Sequence, residues 1–96
     1  MAANYTDESY ALNPNYQGQF HKHVTNGDVW HDGWVRTEYG IVVVVDSSEH
    51  RTLFEFVYDG RVYDRRFSRQ FWPSYLITLA KRFARDIVAQ EATHND

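Results

Sequence analysis

Residues 21–34 read HKHVTNGDVWHDGW, with three histidines, two aspartates and two tryptophans. Imidazole nitrogens with a carboxylate form a donor set that holds zinc, nickel or non-haem iron. His21 and His23 flank Lys22 and would point to one side of an extended segment. With His31 and Asp32 they make a candidate metal set, and Asp28 is a further ligand or an outer partner. This is the basis for one functional alternative, a metal-dependent enzyme. The spacing matches no tight metal motif, so histidines on a polar surface or interface are the leading explanation.

A second group is the run RVYDRRFSR, residues 61–69. It supplies Arg61, Arg65, Arg66 and Arg69, interleaved with Tyr63 and Phe67. Arginine with exposed rings suits nucleic-acid stacking and phosphate contact. The same pairing also makes protein-binding hot spots. Strand alternation would set Arg66 apart from the other three. Trp30, Trp34, Tyr16 and Phe20 add rings that could join such a contact surface. Glu55 and Asp64 are the third group. Facing carboxylates can share a proton and do acid–base work. A solvated network laced by Arg66 and Arg36 is the commoner outcome.

Other chemistries are absent from the sequence. There is no cysteine, which excludes disulfides, thiolate metal sites and cysteine nucleophiles. The serines at 9, 47, 48, 68 and 74 sit in no glycine-flanked elbow. No Walker loop or dinucleotide fingerprint occurs, and no cofactor is implied. Net charge is −3, too acidic for steering toward nucleic acid by the whole-protein field. The stretch MAANYTDESYALNPN lacks a basic start and an apolar core, unlike a secretory signal. IVVVV, at 41–45, is too short to cross a bilayer. A cytoplasmic protein without membrane association is expected.

The elements that would position these groups follow from pattern. Residues 1–28 read as a polar, aromatic-rich, irregular arm interrupted by Pro14, Gly18 and Gly27. Within it, Thr6 followed by Asp7 and Glu8 is a candidate cap for a short helical turn through Leu12. Residues 29–90 form the single α+β domain, and 91–96 a frayed end. Strands are expected at Trp34–Tyr39, along IVVVV, at RTLFEFVY and at RVYDRRF. Asp59-Gly60 signals a type I′ hairpin that sets Tyr58, Phe56 and Phe54 opposite Arg61, Tyr63 and Arg65. Taking residues 46–49 as a four-residue loop puts Ile41, Val43 and Val45 on the core side with Phe54, Phe56, Tyr58 and Tyr63. A helix from Pro73 to Gln90 carries Trp72, Leu76, Leu79, Ala80, Phe83 and Ile87 as its apolar stripe. Together these make a three- to four-stranded antiparallel meander with one C-terminal helix on one face. The second face needs cover, from the arm or from a second copy of the chain.

The leading functional expectation is a non-enzymatic protein-binding module. It would cover a surface of a larger protein as an inhibitor or accessory factor, a profile that fits small phage or mobile-element proteins. A homodimer is the alternative partner arrangement. Nucleic-acid binding through Arg61–Arg69 ranks lower.

Overall fold

The computed structural model describes residues 5–9 and 17–94, with side chains over 17–93. The chain forms β1 (Tyr5–Ser9), β2 (Gly18–Thr25), β3 (Asp28–Thr37), β4 (Gly40–Ser48), β5 (Arg51–Tyr58), β6 (Arg61–Phe67) and α1 (Pro73–His94). The strands pair antiparallel in sequence order. Five of them, β2 to β6, carry the described side chains, and β1 lengthens the sheet at one edge. The α+β class and the helix on one face agree with the sequence pattern. The three- to four-stranded meander does not, and neither does the irregular arm. Residues 18–25 lie within the sheet, and residues 5–9 are a strand in place of the capped turn expected after Thr6.

The added strands come from a hairpin at Asn26-Gly27. Asn26 and Gly27 both take positive φ, 52° and 85°. That is the backbone of a type I′ turn, whose twist matches that of the flanking strands. Asp59 and Gly60 repeat it at 52° and 76° between β5 and β6. The β5–β6 register is the expected one, with Phe56 opposite Tyr63 and Glu55 opposite Asp64.

The register of β4 is not. Its turn to β5 is the two residues Glu49 and His50, with Ser48 opposite Arg51. By itself that change would still set Val43 and Val45 on the side of Phe54 and Phe56. A bulge inverts the arrangement. Between Val44 and Asp46, β4 carries one more residue than β5, and β3 shows the same irregularity. Val45 is the extra residue. A one-residue slip exchanges every side chain between the two faces. Val42 and Val44 are therefore buried at 0% and 1% exposure, while Ile41 and Val43 are over 40% exposed.

Helix α1 covers the face bearing Phe20, Val35, Val42, Val44, Phe54 and Phe56 with Leu76, Leu79, Ala80, Phe83, Ala84 and Ile87. Full burial of each large apolar side chain contributes about 1.5–3 kcal/mol. The helix runs four residues beyond the expected Gln90. Trp72 leaves the expected stripe: it precedes the helix, is 69% exposed, and accepts backbone hydrogen bonds from Tyr75 and Leu76. Phe71 takes the buried place instead.

A buried polar node fixes where the helix begins. Ser47 Oγ lies 2.8 Å from Thr52 Oγ1 and accepts a hydrogen bond from the Phe71 amide at 3.1 Å. The Thr52 hydroxyl donates to the Arg69 carbonyl at 2.8 Å, which leaves the Ser47 proton for Thr52 Oγ1 at 2.8 Å or the Phe71 carbonyl at 3.3 Å. Gln70 Nε2 donates to the carbonyls of Val29 and Ser47. The linker into α1 is thereby tied to β3, β4 and β5. Only the bulge places Ser47, an odd-numbered residue, on the side of Val42 and Val44.

Candidate functional site: the open face of the sheet

The face away from α1 is uncovered among the described residues. Neighbours across β3, β4, β5 and β6 form two rows. One runs Trp34–Val43–Glu55–Asp64; the next holds the pairs Arg36–Ile41 and Val57–Val62, which the β4–β5 register, continued one residue past Val42–Phe56, sets beside each other. Val57 and Val62 are 62% and 68% exposed. A third row, beyond the bulge, carries Asp46, Leu53 and Arg66. There Asp46 pairs with Arg51 at 2.5 Å, a hydrogen bond and charge contact that hold the guanidinium proton above its ordinary range. Arg36 lies 5.9 Å above the Trp34 ring.

The histidine segment borders this face. Asp32 sits between two imidazoles: its Oδ1 is 3.4 Å from His21 Nδ1 and 3.1 Å from His23 Nε2. The His23 ring stacks on Trp30 at 4.1 Å, and Trp30 Nε1 donates to Thr25 Oγ1. His21, Asp32, Trp34, Val43 and Val45 line a shallow open groove. The proposed four-residue metal set does not assemble. His31 and Asp32 are consecutive in a strand and so face opposite ways. His31 is buried under the helix side at 2% exposure, opposite Lys22 and Ser47. Among the described residues no group of three His, Cys, Asp or Glu side chains is arranged to hold a metal ion. The metal-dependent enzyme alternative falls with it.

Alternation also divides the arginine run. Arg61 and Arg65 lie on the helix side, where they pair with Glu91 at 4.0 Å and Asp86 at 3.0 Å. Arg65 also stacks on Phe83, its guanidinium 4.8 Å from the ring centre. Arg69 stacks on Phe71 at 4.7 Å. Arg66 alone reaches the open face. Tyr63 donates its phenol proton to Glu91. That hydrogen bond, then desolvation, then the carboxylate charge raise the phenol pKa, with Arg61 opposing. Of the expected contact rings, Trp30 and Trp34 are half-buried on the open face, and Phe20 is fully buried in the core. Tyr16 lies outside the described residues.

Glu55 and Asp64 stand opposite each other and both are exposed. The expected lacing by arginine is missing. Among the described residues the ion pairs use Asp32, Asp46, Glu49, Asp86 and Glu91, and neither Glu55 nor Asp64. Two carboxylates side by side on an open sheet also lack the cleft that acid–base hydrolysis needs. A second exposed cluster, Arg69, Trp72 and Tyr75, lines a small hollow at the start of α1.

Pattern reading set Ile41 and Val43 on the core side, and so missed their exposure. The Asn26-Gly27 pair was the overlooked signal for the hairpin that brings His21, His23 and Asp32 together. Comparison with protein-family models, curated proteins and solved structures finds no match to this chain.

Proposed function

We propose that the chain is a non-enzymatic protein-binding module that docks a larger protein on the open face of its sheet. One observation carries the reading: Ile41, Val43, Val57 and Val62 are adjacent, apolar and exposed by 43–68%. A lone exposed valine means little, whereas a contiguous apolar patch bordered by polar residues marks interaction sites. Trp34, which pairs with Val43 at its margin, and Trp30 and Arg66 farther along the same face belong to the residue types that anchor interfaces. Covering a partner's surface in this way would make the module an inhibitor or an accessory factor.

Nucleic acid is a poorer fit for this face. Asp32, Asp46, Glu55 and Asp64 outnumber its arginines, and Arg61 and Arg65 are engaged by helix carboxylates. The test is an untagged pull-down from cells that make the protein, comparing wild type with Val57→Lys/Val62→Lys. The expected result is a copurifying protein lost in the double variant. Copurifying nucleic acid that leaves as salt rises, with no protein dependent on Val57 and Val62, would overturn the reading.

A further inference from the structure

We infer that the segment docking on the open face sets a lysine or arginine among apolar side chains, and that Glu55 and Asp64 receive that cation. This rests on the docking reading above and names the chemistry of the partner. Glu55 and Asp64 are direct cross-strand neighbours, an arrangement that costs stability when nothing pairs the charges. Among the described residues no basic side chain lies within ion-pair distance of either. The pair is edged by Val57 and Val62 on one side, by Leu53 and Arg66 on the other, and by Val43 beside Glu55. An unpaired acidic pair bordered by exposed valines complements a guanidinium or ammonium carried on an apolar segment, and Arg66, though next along the strand, forms no ion pair with either carboxylate. Arginine is the better match because its planar fork bonds carboxylates in two places at once. Covering the valines would exclude water and strengthen the contact. The same carboxylates repel phosphate, and the net charge of −3 opposes a second copy of the chain as the occupant.

The probe is a displayed library of random dodecapeptides selected against the full chain. Binders are then re-measured on Val57→Lys/Val62→Lys and on Glu55→Gln/Asp64→Asn, with circular dichroism confirming that both variants are folded. The expected binders are rich in arginine and lysine and are lost on the valine variant. They weaken about tenfold or more when the carboxylates are neutralised. Binders lost on the valine variant, yet neither basic nor weakened by neutralisation, would overturn the cation assignment and leave docking intact. Binders indifferent to Val57 and Val62 would overturn docking itself. A chain that sediments as a dimer, and as a monomer after Val57→Lys/Val62→Lys, would overturn both in favour of self-association.

Discussion

Lysine substitutions at positions 43 and 44 should have opposite consequences, although the two valines are neighbours in a run of identical residues. Val44 is 1% exposed and faces Phe54 and Gly33 across the core side of the sheet. Val44→Lys forfeits about 1.5–3 kcal/mol of apolar burial. It also buries an ammonium among apolar side chains, which costs several kcal/mol more. The sum approaches the whole stability of a small domain, about 5–15 kcal/mol. Val43 is 43% exposed and pairs with Glu55. Val43→Lys loses up to about 1 kcal/mol of strand preference. It regains about 0.2–1 kcal/mol from the cross-strand charge pair. Since 1 kcal/mol moves Tm by roughly 4–8 °C in a domain of this size, the Val43 variant should melt within a few degrees of wild type. The Val44 variant should be unfolded, or lowered by tens of degrees. Thermal and urea melts followed by circular dichroism decide it. A stable Val44 variant beside an unfolded Val43 variant would refute the bulge and the assignment of faces built on it.

Further outcomes follow from single contacts. Ser47→Ala leaves the Phe71 amide and the Thr52 hydroxyl short of a buried partner and should cost about 2–4 kcal/mol in urea unfolding; a loss under about 0.5 kcal/mol would mean the linker is anchored elsewhere. Glu55→Gln should stabilise the fold by about 0.2–1 kcal/mol by relieving the pair with Asp64, and the gain should fade in 1 M salt, where screening acts within about 3 Å. Tyr63 holds its proton more tightly folded than unfolded because it donates to Glu91. Its contribution to stability is therefore fully present below the ordinary tyrosine pKa of about 10 and is lost as pH rises above that value. Ultraviolet titration should show a late-ionising phenol that Tyr63→Phe removes, and an unchanged titration curve would contradict the Tyr63–Glu91 contact.

What the sequence revealed depended on whether a pattern carried phase. RTLFEFVY and RVYDRRF alternate around an Asp-Gly turn, so period and turn together set β5 and β6 residue by residue. The helix stripe was legible for the same reason, since Leu76, Leu79, Ala80, Phe83 and Ile87 repeat at helical spacing. IVVVV is β-branched throughout and announces a strand, but a run of like residues has no alternation to say which members face inward. Here the decision belongs to the Val45 bulge and the Ser47 node, which are set by tertiary contacts. The histidine segment hid its hairpin because its strands mix polar and apolar residues on both sides. Asn26-Gly27 was the one local sign. The separation of His31 from His21, His23 and Asp32 then followed from strand parity. The pairing of Arg61 and Arg65 with Glu91 and Asp86 was beyond local pattern, because it joins residues that only the packing of α1 on the sheet brings near.

On the proposed reading, Ile41, Val43, Val57 and Val62 form the contact surface for another protein. The most direct test of that reading is site-specific photo-cross-linking in cells that make the chain, with the reactive group placed at position 57 or, as a control, at the exposed helix position 82. An adduct with a different polypeptide is expected from position 57, and none from position 82. Adducts from position 82 alone, or from position 57 only to another copy of the same chain, would contradict the reading.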